Sequence, residues 1–225
     1  MGGSIIFDKM RWKMDEIKEY GQRVVETEEG NKIQVITIIG EIEGHDLLSG
    51  NTKATKYEHI IPKLIEVDCN KNIEGVLFVL NTIGGDVECG LAIAELITSL
   101  RKPTVSLVIG GSHSIGIPLA VSTDYSFIAE SATMLAHPVR MTGTVLGAPQ
   151  TYYQFNQMQE RIVSFICKQS NVKKEALEEL MMAKDTMARD LGTILVGKDA
   201  VTVGIIDEVG GLGKAMDKLN NLIAG

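Results

Sequence analysis

Past residue 30 the apolar positions fall into two alternating patterns, short β-branched runs and stretches with helical spacing. Ile33–Ile39 is β-branched and bounded by glycines, which predicts a strand. Residues 44–54 read as a polar loop. Tyr57, Ile60/Ile61 and Leu64/Ile65 recur on one face, predicting a helix from Tyr57 to Val67. Gly75–Leu80 is a continuous apolar run, the mark of a strand buried on both sides. Leu91, Ala94, Leu96, Ile97 and Leu100 outline the next helix, and Thr104–Ile109 the next strand. An apolar helix follows from about Ser114, its start limited by Pro118, because proline is tolerated only in a first turn. Short strands are expected near residues 125–129 and 133–136. Strands alternating with helices across short links predict parallel βαβ units with right-handed crossovers, an α/β fold.

After His137 the pattern changes. Val139–Gly147 is glycine-containing and reads as extended, and Thr151–Lys168 is an amphipathic helix with Phe155, Met158, Ile162 and Phe165/Ile166 at helical spacing. Asn171 is a candidate cap for a helix through Met182. The tail carries a strand at Gly204–Val209 and a closing helix from Lys214. Residues 1–30 read as an appendage to a single domain over 31–225. It carries a helix around Met10–Val25 with Trp12, Ile17 and Tyr20 as docking points.

Charge and composition narrow the partners. A net charge of −7 without a lysine or arginine cluster argues against nucleic acid. Cys69, Cys89 and Cys167 are widely spaced and form no CxxC motif, which reads as reduced thiols and leaves no metal site expected. The first 30 residues hold no apolar run long enough for a signal peptide or a membrane span, so a cytoplasmic protein without a transmembrane segment is expected.

Three features fall where parallel strands end, the edge at which open α/β sheets place their sites. Gly110-Gly-Ser-His-Ser114-Ile-Gly116 puts a serine on a strand-to-helix turn, its hydroxyl beside free amides able to receive an oxyanion. Gly84-Gly85 follows the second apolar strand, where backbone can approach a ligand closely. His137 follows Thr133–Ala136. A serine, a histidine and paired N–H donors make up most of a serine hydrolase.

The motifs Asn81-Thr-Ile-Gly84-Gly85, the Ser114 turn, Met134-Leu-Ala-His137-Pro138 and the tail from Arg189-Asp190 to Asp207 resemble, in order and spacing, the Clp protease proteolytic subunit family. That family lies within the crotonase-like superfamily, and the likeness, from about Lys32 to Val209, is strongest to its translocation-enhancing branch. The resemblance implies a fold of repeated βαβ (spiral) units with a protruding handle strand and helix, here about residues 139–168. It implies Ser114 as nucleophile, His137 as general base and Asp190 as the acid that orients it, with Asp185 the alternative. The oxyanion hole would be the amides of Gly84, Gly85 and Ile115. Departures are Ile83 where the family has proline, and Ser112 and His113 where it has alanines. Ser112 is a rival nucleophile, His113 reads as a helix N-terminal residue, and Asp199 as a helix-start residue.

The resemblance implies a serine peptidase cleaving short or unfolded polypeptides inside a homo-oligomer of heptameric rings, with a tetradecamer as the two-ring form, without a cofactor. Signal peptides and a link to preprotein export are implied by the branch. No phosphate-binding loop is present, so any ATP-driven unfoldase would be a separate partner. The charged N-terminal segment, unlike the family's short axial loops, counts against one. The alternatives are a crotonase-type acyl-CoA enzyme, a Ser/Lys dyad peptidase and a catalytically silent assembly factor.

Overall fold

A computed structural model describes residues 21–140, 147–184 and 191–225. The main sheet has the strand order β1 (Gln22–Glu26), β2 (Lys32–Glu43), β4 (Gly75–Gly85), β5 (Thr104–Ser112), β6 (Tyr125–Ile128), β9 (Glu208–Val209). The pairs from β2 to β9 are parallel and only β1 runs antiparallel. β3 (Ala54–Lys56) adds to the far end of β2. β7 (Thr133–Ala136) touches β5 through Gly111 and pairs antiparallel with β8 (Thr193–Val196). This is the mixed α/β architecture of the crotonase and Clp protease type.

Both sheet faces are covered over the first half of the strands, which explains their continuous apolar runs. On one side Ile36, Ile38, Phe78, Leu80 and Val108 pack under α1 (Tyr57–Cys69), α2 (Val87–Thr98) and α3 (Gly116–Val121). On the other, Ile33, Leu77, Val105, Leu107 and Phe127 lie against Ala215 and Leu219 of α7 (Leu212–Ala224). Each such side chain removed from water stabilises the fold by roughly 1.5–3 kcal/mol.

Several elements differ from the sequence reading. Instead of a helix reaching Val25, Gln22–Glu26 pair with Lys32–Ile36, and the rest of that expected helix, like residues 141–146 of the handle segment, lies outside the described residues. β4 and β5 run on through their terminal glycine motifs, so the α3 helix starts only at Gly116. Asn171 caps nothing: its N–H donates to the Gly204 carbonyl (2.9 Å), and α5 (Lys174–Met182) starts from Lys173. Gly204–Asp207 is a turn, because Ile205 and Ile206 both donate to the carbonyl of Ala200 within α6 (Lys198–Thr202). The antiparallel β8 was not anticipated.

The 22-residue helix α4 (Ala148–Gln169) divides in two. Its C-terminal part buries Ile162, Val163, Phe165 and Ile166, whereas its N-terminal part leaves Tyr152 71% and Tyr153 63% exposed.

Candidate active site

The ends of β4, β5 and β7 meet at one cavity of about 160 Å³, lined by Gly85, Ser114, Ile115, Ala136, His137 and Arg140 among others. Two backbone bonds pin the serine turn between the flanking strands. The His113 N–H donates to Thr82 O of β4 (3.1 Å), and the Ser114 N–H to Leu135 O of β7 (2.9 Å). Ser114 has φ 57°, the one positive value outside glycine among the described residues. Holding a serine there costs roughly 1–3 kcal/mol, which the surrounding bonds must offset.

Glycine at position 84 answers to the same crowding. A β-carbon there would lie 2.8 Å from Ser114 Cβ, 2.8 Å from the His113 carbonyl oxygen and 3.4 Å from Ser114 Oγ. Its φ of 92° also favours glycine. The Gly84 N–H donates to Thr82 Oγ1 (3.1 Å), and that hydroxyl donates to Gly40 O (2.6 Å). Among the three expected oxyanion donors, Gly84 is therefore already engaged. Gly85 lines the cavity. No acceptor among the described residues takes the Ile115 N–H.

The His137 Nδ1 lies 2.7 Å from the Pro138 carbonyl oxygen. A carbonyl only accepts, so Nδ1 carries the proton in this contact, which makes Nε2 the nitrogen that would serve as the base. Ser114 and His137 face the same cavity, and no hydrogen bond joins them among the described residues. Asp190 and Asp185 lie outside those residues. The chain nevertheless returns to His137 directly after them. β8 pairs Thr193 with Ala136, and a β-carbon on Gly192 would stand 2.9 Å from His137 Cβ. Arg140 donates to Leu191 O (3.3 Å) and the Gly192 N–H to Ala183 O (2.9 Å).

Ser112 is no rival: it is fully buried and its hydroxyl donates to Gly116 O (2.6 Å). His113 precedes the helix and does not belong to it. Its Nε2 is 2.9 Å from Thr133 Oγ1, and burial, then the nearby charge of His137, pushes its pKa below the usual histidine value. Asp199 falls in the first turn of α6, as expected. Burial, reinforced by Asp86, raises the Cys89 thiol to about 11, so it is not a nucleophile at neutral pH.

Gln159 escaped sequence reading. From α4 its Oε1 accepts the Val139 N–H (2.8 Å) and its Nε2 donates to Met181 Sδ (3.0 Å), tying the segment after His137 to two helices. Its place in the amphipathic run carried no signal of that role. Beside the cavity, Val139, Tyr152, Phe155, Gln159, Met181 and Met182 line a second, mostly apolar hollow of about 410 Å³.

A serine turn, a glycine pair and a histidine at three adjacent strand ends define a class as well as a geometry: the chain belongs to the Clp protease family, whose model matches residues 30–212. It is 56% identical over 210 residues to the translocation-enhancing protein TepA of Halalkalibacterium halodurans, covering 93% of this chain and 82% of that protein. It is 28% identical over 170 residues to an ATP-dependent Clp protease proteolytic subunit of Lactococcus lactis subsp. lactis, covering 72% of this chain and 81% of the relative. The corresponding subunit of Streptococcus uberis is 30% identical over 107 residues, 47% of this chain and 54% of the relative.

Proposed function

We propose that this protein is a serine peptidase acting on short or unfolded polypeptides. The observation that carries this reading is the strained Ser114 facing His137 across a cavity that Gly85 and Ile115 also line. Ser114 Oγ attacks the scissile carbonyl carbon while His137 Nε2 takes the hydroxyl proton, and the carbonyl electron pair moves onto oxygen. The amides of Gly85 and Ile115 receive that oxyanion, with Gly84 giving room for the close approach. Collapse expels the amine, which takes the proton from the imidazolium. Water then hydrolyses the acyl-serine by the same path in reverse.

Asp190 is the proposed carboxylate near the imidazolium, supporting its charge electrostatically while the Nδ1–H stays on the Pro138 carbonyl. Its support is the packing of Gly192, two residues later, against His137. The 410 Å³ hollow, which shares Val139, Gln159 and Met181 with the cavity, suits an apolar side chain of the peptide. Ser114 and His137 together on one cavity count against a crotonase-type reaction, in which Asp or Glu does the acid–base work without a serine nucleophile.

The exposed half of α4, with Tyr152 and Tyr153, is the proposed handle by which rings of subunits meet and enclose the sites. The name of the 56%-identical relative brings a role in protein translocation, with signal peptides as candidate substrates. A cytoplasmic location fits that role, and no helix among the described residues is long and apolar enough to cross a membrane. An ATP-driven unfoldase would be a separate partner.

A fluorophosphonate probe tests the reading. It is expected to acylate the protein at Ser114, and Ser114→Ala and His137→Ala are each expected to abolish labelling and peptide cleavage while the assembly persists. A catalytically silent assembly factor of the same fold is the alternative reading. Failure of the wild-type protein to label would establish that alternative.

A further inference from the structure

An amide interrupts the apolar stripe of α4 where that helix lines the cavity. Gln159 stands four residues after Phe155 and three before Ile162, so the three share one face of the helix. A polar side chain in such a stripe is costly unless its atoms find partners. Both ends of this one do. Oε1 accepts the Val139 N–H (2.8 Å), and Nε2 donates to Met181 Sδ of α5 (3.0 Å). These partners also fix which way round the amide sits, because a backbone N–H only donates and a thioether only accepts.

The Val139 N–H belongs to the same peptide plane as the Pro138 carbonyl, and that carbonyl lies 2.7 Å from His137 Nδ1. One planar unit is therefore tied to Gln159 at its N–H end and to the imidazole at its C=O end. Three hydrogen bonds run in series, from Met181 through Gln159 and the peptide to the ring. Bonds in series polarise one another, so an acceptor on the N–H leaves more negative charge on the carbonyl oxygen. Tied at both ends, the plane also resists turning about its flanking dihedrals. β7 ends at Ala136, before this peptide, and the side chain from α4 takes the place of a strand partner.

We propose that Gln159 is a positioning residue for His137. By clamping the Pro138–Val139 peptide it keeps the carbonyl on the Nδ1–H, and so leaves Nε2 free to take the Ser114 proton. It touches no reacting atom itself. The inference rests on the reading of His137 as the general base. The tautomer that a serine peptidase needs is then set by a backbone carbonyl, with a glutamine of α4 behind it.

Two measurements on the full chain test it. The first is the fluorophosphonate labelling rate at mildly alkaline pH, where the imidazole is neutral. Gln159→Met has similar length but offers the N–H no oxygen. It is expected to label roughly tenfold more slowly, a fraction of the ~10⁴-fold that a wrongly held tautomer costs a serine protease. Gln159→Glu keeps an oxygen acceptor and is expected to restore most of the rate. A role in packing alone predicts the reverse order, because methionine suits the apolar surroundings and a carboxylate does not. The second measurement is the imidazole nitrogen NMR spectrum of histidine-labelled protein, with the His137 signals identified by their absence in His137→Gln. The parent and Gln159→Glu are expected to carry the His137 proton at Nδ1, and Gln159→Met to show both tautomers. Equal labelling of Gln159→Met and the parent overturns the proposal, as does a Gln159→Glu rate no higher than that of Gln159→Met. A Gln159→Met spectrum that keeps the parent's tautomer overturns it as well. If the wild-type protein does not label at all, the peptidase reading fails, and the nitrogen spectra alone decide whether Gln159 sets the tautomer.

Discussion

Ser114 and its immediate neighbours show how side-chain size and a single dihedral angle fix the reacting group. Gly84 leaves no room for a methyl group against Ser114 Cβ and the His113 carbonyl. Gly84→Ala is therefore expected to displace the hydroxyl, cutting the fluorophosphonate labelling rate by about 100-fold for a shift near 1 Å. The stability loss read by urea denaturation should be ~1–3 kcal/mol. His113 gives a pH signature. Burial and His137 depress its folded pKa, so below the ordinary value of 6.5 the unfolded chain takes up a proton that the folded chain resists. Stability must fall as pH drops through that value toward the folded pKa. Melting temperatures measured on either side of it are expected to diverge less for His113→Gln than for the parent protein.

At the level of elements, the parts most readable in the sequence were those whose pattern is local. The β4 and β5 strands are continuous apolar runs ending in glycines, and the break between Ile109 and Pro118 marks the serine turn without reference to anything distant. β1 was misread because Gln22-Arg-Val-Val-Glu26 is short and charged, and its strand character comes from pairing with Lys32–Ile36. β8 was invisible for a related reason: half of its four residues face outward, and its register is set by β7, about sixty residues earlier. This strand returns the chain to His137, so the neighbourhood of the proposed acid could not be read from spacing alone. Gly204–Ile206 failed in the other direction, an apolar tripeptide buried in a turn. The α4 stripe was legible, but not where its burial stops. Exposed Tyr152 and Tyr153 now locate that point, and replacing both with serine is expected to shrink the particle seen by light scattering while the melting temperature of the subunit barely changes.

For the molecule as a whole, the paired covers of the sheet hold β4, β5 and β7 in fixed relation, and the candidate site is the seam where their ends meet. The left-handed backbone at Ser114 is imposed by that frame, through Thr82 on one side and Leu135 on the other. Catalytic competence and heat resistance are thus opposed at one position. Ser114→Gly relaxes the dihedral and is expected to add about 1 kcal/mol of stability. For a chain of this length that raises the melting temperature by about 2–4 °C in calorimetry. Ser114→Ala, equally inert, keeps the constrained angle and should melt with the parent. A collection of variants ranked only by thermal tolerance would then promote a protein that has lost its reactive hydroxyl.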